Sequence, residues 1–310
     1  MLHYWSLDAV NLHRSWVTIG TFDGVHLGHQ KVVSELVTGA HRAGAKAVVL
    51  TFYPHPADVL RKGSKQRYLT TPEQQAALLS ELGVDVVITH PFTKELSSVS
   101  ARDFVALLVE RLGMEQLWVG YDFALGHNRE GDVNALTIMG QEMGYGVHPI
   151  AAVEKDGQVI SSSLIRSLIR DGQVSKAASL LGRPYSIEGV VVPGDGRGHL
   201  IGFPTANLAY WDKYVMPSSG VYVCQAEVDG QEFDAVTNVG VRPTFDQQES
   251  RIHVEAYLLD VRMDLYDQSM ILSFFERLRD EQRFESVDAL IAQIQADVGR
   301  SRDILARIKA

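Results

Sequence analysis

Cysteine is almost missing from this chain of 310 residues: Cys224 stands alone, which excludes an internal disulfide and any cysteine-rich zinc site. That usage fits a reducing compartment, and the cytoplasm is the expected setting. The opening MLHYWSLDAVNLHRSW lacks a basic region followed by an apolar run, so it does not read as a signal peptide. No apolar stretch approaches the ~20 residues that span a bilayer, so no membrane partner is expected. Positive charge is also short, with 29 Lys and Arg against 38 Asp and Glu and a net charge of −9. Such a chain lacks the general attraction to long nucleic acids that counterion release supplies, and no nucleic-acid partner is expected. Small anions remain within reach, because helix N-termini, a few arginines and a bound cation supply positive potential locally. Two phosphate-binding signatures are absent as well. There is no G-x-x-x-x-G-K-[ST], and no G-x-G-x-x-G follows the first strand, which argues against a P-loop and against a dinucleotide oxidoreductase.

What is present divides into two halves. At this length two domains are the default expectation. Up to about Gly182 strands and helices alternate: WVTIGTF, AKAVVLTF, VDVVITH, QLWVGYDF and YGVHPI read as strands. Between them KVVSELVTGAHRAG, TPEQQAALLSELG and SARDFVALLVERLG read as helices, with Thr71 and Ser100 as N-caps and Pro72 at a first helical position. This rhythm predicts an α/β domain, a parallel sheet covered on both faces, over residues 1–182. From residue 183 to 310 the strands are short and separated by turn signals such as Asp229-Gly230, as in YSIEGVVVPG, GVYVCQAEVDG, QEFDAVTNVG, RIHVEAYLLD and SMILSFFERLR. They predict an antiparallel barrel or sandwich, closed by the amphipathic helix VDALIAQIQADVGRSRDILARI.

The unusual loops fall on one edge of the predicted sheet. GTFDGVHLGH follows the first strand, FYPHP the second and DFALGHNREGD the fourth, and ligands of such sheets gather beyond the carboxyl ends of the strands. His26 and His29 could hold zinc, but no compact ligand pattern completes the set. Read as ordinary helix-start residues, they explain Gly28 and leave Gly20 and Gly24 unexplained. Phosphate chemistry explains all three glycines: backbone N–H groups approach an anion, the helix dipole adds to them, and imidazoles donate to phosphoryl oxygens. ISSSLIRSLIR, Ile160 to Arg170, is an amphipathic helix whose Arg166 and Arg170 form a basic side, and its serine-rich start with Arg166 could hold a triphosphate.

G-T-F-D-G-V-H-L-G-H followed downstream by I-S-S-S-L-I-R resembles the adenylyltransferase half of bacterial bifunctional riboflavin kinase/FAD synthetases. T-F-Y-P-H-P and V-G-Y-D-F-A-L-G-H-N-R-E-G-D are similar to that family's intermediate motifs, and GRGHLIGFPTANL, NVGVRPTF, VEAYLLD and LRDEQRF to its kinase domain, in order. The resemblance implies a Rossmann-like nucleotidyltransferase followed by a riboflavin kinase barrel. Riboflavin and ATP would give FMN in the second, and FMN and a second ATP would give FAD and pyrophosphate in the first. It implies ATP contacts at Gly20, Phe22, Asp23, Gly24, Gly28, Ser162, Ser163 and Arg166, the serines and arginine gripping the leaving β and γ groups. His26 and His29 would steady charge at the attacked phosphorus, and Asn128 and Arg129 would face FMN or phosphate. In the kinase it implies Glu255 as the base that takes the hydroxyl proton, Gly202 and Pro204 as shapers of the nucleotide loop, and Thr205 and Asn207 as oxygen ligands of Mg²⁺. No tightly bound redox cofactor is implied. His55 is a further candidate; Arg279 and Phe284 could cover the flavin or start a helix; His41, His90, His148 and His253 read as structural or solvated. Two positions depart from the family pattern, His199 before L-x-G-F-P-T and Tyr257 where E-x-H is common. They leave open an alternative in which the barrel binds flavin without kinase activity.

Overall fold

The computed structural model describes every residue except 62, 64, 65, 195, 243–250, 262 and 310. The chain divides into two compact units, Met1–Ser162 and Ser163–Ala310.

The first unit runs β1 (Leu2–Tyr4), β2 (Ser15–Ile19), α1 (Leu27–Arg42), β3 (Lys46–Tyr53), α2 (Pro56–Leu60), α3 (Pro72–Glu81) and β4 (Val86–Pro91). It continues through α4 (Ala101–Leu112), β5 (Met114–Gly120), a hairpin of β6 (Ala124–Leu125) and β7 (Gly131–Asp132), α5 (Val133–Met143) and β8 (Gly146–Ile150). A last hairpin, β9 (Glu154–Lys155) with β10 (Gln158–Val159), precedes α6 (Ser162–Arg170). The sheet is parallel in the order β1-β4-β3-β2-β5-β8. Side chains alternate between its faces. Val48, Leu50, Val86 and Ile88 pack with Phe104, Leu108 and Leu136, whereas Val49 and Val87 pack with Val33, Leu36 and Leu79. Both faces are therefore buried, which is why the strands read as nearly continuous apolar runs. The expected caps form: Thr71 and Gln74 make a reciprocal capping box, and the Ser100 hydroxyl accepts from Asp103 N. The chain winds outward from β2 through β3 and β4, then returns to place β5 on the other side of β2. That reversal is a topological switch point, and the loop after β2 sits at it.

The second unit holds most of α6, then α7 (Val174–Leu181), β11 (Tyr185–Val192), α8 (Arg197–Leu200), β12 (Ala206–Tyr210), β13 (Gly220–Val228) and β14 (Gln231–Arg242). β15 (Arg251–Leu258), β16 (Ser269–Arg279) and α9 (Val287–Lys309) complete it. Its strands close into an antiparallel barrel in the order β11-β12-β15-β14-β13-β16. Of the barrel and sandwich that the sequence allowed, the barrel is what forms. The strand missing from the sequence reading is β12, hidden inside the F-P-T-A-N-L motif. Tyr185, Tyr222, Cys224 and Phe274 fill the interior, the Phe274 ring meeting the Tyr222 ring edge-on at 5.6 Å. On the outer face α9 lays Ile304 and Leu305 against Val221, Val223 and Val236. Arg279 at the end of β16 clasps this helix, donating through Nε and Nη2 to Asp297 at 2.9 and 2.8 Å.

Candidate functional site

In the first unit the loop after β2 is bent into a conformation that its own residues disfavour. Phe22, Gly24 and Val25 have φ of 44°, 80° and 41°. Glycine tolerates that region, but a β-branched valine there is strained, at a cost of about 1–3 kcal/mol. The surroundings hold the bend. Val25 N donates to Phe22 O at 2.9 Å and closes the turn. Thr21 O accepts from Thr51 Oγ1 at 3.1 Å and from Gln75 Nε2 at 2.7 Å, and Gly24 N donates to Thr70 Oγ1 at 3.2 Å. Asp23, only 4% exposed, accepts at Oδ1 from Leu69 N at 2.8 Å and Thr70 N at 3.3 Å. Its carbonyl accepts from Ser162 Oγ at 2.9 Å. One oxygen of Asp23 thus fastens the loop to the segment before α3.

The loop delivers two histidines to the start of α1. His26 is the N-cap, its Nδ1 accepting from His29 N at 3.3 Å, and the two rings stack at 3.6 Å. The helix-start reading of His26 is therefore correct as far as it goes. A side chain already spent as an acceptor and stacked on its neighbour is badly placed to share a metal ion with it. Phe22 packs its ring edge against His29 at 5.1 Å, and a Cβ on Gly20 would touch that phenylalanine ring at 3.0 Å. At Gly28 a Cβ would press on the His26 ring at 3.1 Å. Burial holds the His29 pKa well below its ordinary value, with His26 adding to the effect. The ring is neutral at pH 7, and its Nδ1 is buried without a hydrogen-bond partner among the described residues. A polar atom so placed is costly unless a ligand or water completes it.

Beside Asp23 lies a pocket lined in part by Thr21, Phe52, Tyr53, His55 and Tyr68. His55 caps the short helix α2, accepting at Nδ1 from Ala57 N at 3.0 Å. The Tyr68 hydroxyl accepts from His55 N and donates to Asp58 Oδ2, each at 2.8 Å. Thr70, Gln75 and Tyr68 carry no sequence signal for these roles, since Thr70 and Gln75 read only as neighbours of a helix cap. Asn128 and Arg129 lie in the turn between β6 and β7 with φ of 53° and 61°, both exposed, and Arg129 Nη2 donates to Asp122 O at 3.0 Å. The turn is pinned through Glu130, whose Oε1 accepts from Ala101 N at 2.7 Å at the start of α4.

Ser163 and Arg166 belong to the second unit. The basic side of α6 divides: Arg166 is 7% exposed, with Nη2 on Ser163 Oγ at 3.2 Å, while Arg170 is exposed. An amphipathic pattern marks which residues are polar but not which of them solvent reaches. The remaining histidines His41, His90 and His148 bond to Asp85, Leu7 N and Gln116, as structural residues do.

In the barrel, Gly202 has φ of 88° and turns the chain into Phe203 and Pro204. Phe203 N donates to Gly198 O at 2.8 Å, and its ring meets Tyr257 edge-on at 5.4 Å. Tyr257, one of the two departures, therefore anchors this loop to β15 and also packs on the α9 cluster. The loop brings Thr205 and Asn207 to the start of β12, where Asn207 lies directly opposite Glu255 of β15. A Cβ on Gly194 would overlap the Asn207 carboxamide, so the preceding loop lies right against it. Two neutral oxygen donors beside a carboxylate suit a hard cation such as Mg²⁺, which keeps several waters of its own. Arg279 and Phe284 are occupied with each other and with α9, the guanidinium 5.7 Å from the ring centre. His199, the other departure, is exposed in α8.

Known proteins resemble this chain. A family model described as FAD synthetase matches residues 8–164, and one described as riboflavin kinase matches residues 181–305. The bifunctional riboflavin kinase/FMN adenylyltransferase of Pseudomonas fluorescens is 39% identical over 95% of this chain and 94% of its own. That of Bacillus subtilis is 34% identical over 92% and 90%. A solved structure of a macrolide-efflux protein from Streptococcus pneumoniae superimposes with a TM-score of 0.90 and 30% identity, over 97% of this chain and 98% of that one. No helix among the described residues is long and apolar enough to cross a membrane. With two family models in tandem and relatives aligned from end to end, the chain belongs to the bifunctional riboflavin kinase/FMN adenylyltransferase family.

Proposed function

We infer that the chain makes FAD from riboflavin in two steps, each with its own ATP. The second unit transfers the γ-phosphoryl group of ATP to riboflavin, giving FMN and ADP. The first transfers AMP from ATP to FMN, giving FAD and pyrophosphate. The observation that carries this reading is the tandem of family models, FAD synthetase over residues 8–164 and riboflavin kinase over residues 181–305. We assign residues 1–182 to the adenylyltransferase and 183–310 to the kinase. ATP implies the cytoplasm as the compartment.

Riboflavin attacks through a hydroxyl, which must lose a proton. Glu255, facing Asn207 across the β12–β15 pair, would take it. Thr205 and Asn207 would hold Mg²⁺, which when bound neutralises phosphate charge, while Gly202 and Pro204 shape the loop. FMN attacks through a phosphate already ionised at neutral pH, so the first unit needs no base. There the amides of the loop at Gly20–Gly24, the start of α1 at Gly28 and the rings of His26 and His29 would take the triphosphate. Ser162, Ser163 and Arg166 would hold the leaving pyrophosphate. Asn128 and Arg129 would meet FMN, and the aromatic-lined pocket beside Asp23 offers its ring a dry surface. Asp23 and Phe22 act on the loop conformation.

The test is a flavin time course with riboflavin, ATP and Mg²⁺. FMN should rise and then give way to FAD. Glu255→Gln should block the first conversion and spare FMN→FAD; His29→Ala should do the reverse. If supplied FMN becomes FAD while riboflavin stays unchanged, the barrel binds flavin without phosphorylating it.

A further inference from the structure

We propose that Asn238 is a positioning residue for Glu255 in the kinase step; this rests on the reading of Glu255 as the base. Glu255 has a partner on each side of its strand: Asn207 of β12 on one and Asn238 of β14 on the other, both directly opposite. Residues so paired share one face, with Cβ atoms about 4.5–5.5 Å apart. The adjacent row, Ala206, Ala256, Thr237 and Tyr222, is buried inside the barrel. The Asn–Glu–Asn row is therefore the outward one, on the face where Val236 and Tyr257 pack with α9.

Asparagine is a poor strand residue, and its neighbours along β14 are Thr237 and Val239, which are good ones. Packing alone would favour valine at 238 too. Two positions further along the strand, Gly240 is bare, and the side chain of Glu281 fills that space. A Cβ there would overlap the Glu281 carboxylate and lie 3.3 Å from Asn238 Nδ2. The Asn238 amide thus lies beside the space that the Glu281 carboxylate fills, on a residue directly opposite Glu255, and a primary amide has one N–H for each carboxylate. In the free protein it makes no hydrogen bond among the described residues. Catalytic hydrogen bonds of this kind commonly tighten only once substrate is in place. Closed on substrate, Asn238 donates to Glu255 and fixes the carboxylate toward the riboflavin hydroxyl, while Glu281 keeps the amide turned the right way.

The test uses the full chain, with both reactions measured in each variant. Asn238→Val removes the donor and improves strand propensity, so the barrel keeps its fold. It should lower kcat for FMN formation about tenfold, with KM for riboflavin and ATP and the FMN→FAD rate within about twofold of the parent. Asn238→Asp keeps the shape but sets a like charge in place of the donor beside Glu255, and should lose at least as much kcat. Parent-like kcat in both variants would overturn the proposal, as would a loss confined to KM. Glu255→Gln separates the two levels. If that variant still phosphorylates riboflavin, the reading of Glu255 is wrong; if it is inactive while the Asn238 variants are normal, only the positioning role is.

Discussion

Replacing Asp23 distinguishes a residue that holds the phosphate loop from one that touches the nucleotide. Asp23 is 4% exposed and accepts from the amides of Leu69 and Thr70. In Asp23→Ala those two N–H groups lose their acceptor inside the protein, at about 1–3 kcal/mol each, so the first unit should lose about 2–6 kcal/mol. Asp23→Asn keeps a carbonyl oxygen of the same reach and should lose only about 1–2 kcal/mol, the difference between a charged and a neutral acceptor. Tryptophan fluorescence in urea suits the measurement, because Trp5, Trp16 and Trp118 lie in the first unit and only Trp211 in the second. With a slope of about 1–3 kcal/mol per molar urea, the alanine midpoint should fall by about 1–2 M. FMN→FAD conversion should fall with it, because the strained turn at Phe22–Val25 is no longer held, while riboflavin→FMN stays within about twofold. The asparagine variant should keep most of both stability and transfer. If the alanine variant unfolds at the parent's urea concentration yet transfers no AMP, the loop-holding argument is refuted. The carboxylate must then act on the nucleotide or its cation, and asparagine should fail as badly as alanine.

Three further outcomes follow from burial and close approach. Burial lowers the pKa of His29 strongly and those of His3, His90 and His148 to a lesser degree, all in the first unit. The unfolded chain therefore binds protons below about pH 6.5 that the folded unit refuses, and stability should fall by up to about 1.4 kcal/mol per pH unit for each such group. A urea midpoint that stays flat or rises between pH 7 and pH 5 would contradict this. Cys224 is fully buried and its pKa is pushed up by burial, so a thiol reagent at pH 8 should find no reactive group in the native chain and one after unfolding; fast native labelling would show the barrel opening. Gly194→Ala would displace the flexible end of Asn207 rather than backbone, so kinase rate should drop with little change in thermal midpoint. A large loss of stability would mean that the loop itself is strained.

The sequence carries most clearly what is local. Thr71 and Ser100 announce their helices because a cap and its amide partner are three residues apart. The buried parallel sheet shows in runs such as AKAVVLTF. β1 spans three residues, too few for any period, and exists because its register with β4 is available. The contacts that hold the phosphate loop are long-range: Gly24 to Thr70 is 46 residues and Thr21 to Gln75 is 54, and nothing in LTTPEQQ signals either. The row of Asn207, Glu255 and Asn238 is further still from legible, because three motifs become neighbours only when the barrel closes in one register.

The two sites differ in the way that their nucleophiles require. On the barrel, Glu255 is half-buried on the outer face, between two asparagines of the neighbouring strands. At the start of α1 the groups that could have served as a base are poorly suited to it: one oxygen of Asp23 is on backbone amides, His26 Nδ1 accepts an amide at the helix cap, and burial lowers the His29 pKa, so its ring takes up a proton reluctantly. A base there would have little to remove, because FMN arrives with its phosphate already ionised. Neutral donors also keep the incoming phosphate reactive, whereas a fixed cation would hold it in the ground state as firmly as in the transition state. It follows that the two steps should diverge with acidity. Adenylylation should show an acid limb set by FMN's own second ionisation near pH 6, and phosphorylation of riboflavin, whose hydroxyl does not ionise in this range, should not share that limb. Pre-steady-state rates of each step from pH 5 to pH 8 will read this. An adenylylation limb that moves when His29 is replaced, with FMN unchanged, would mean that the histidine and not the substrate supplies the titrating group.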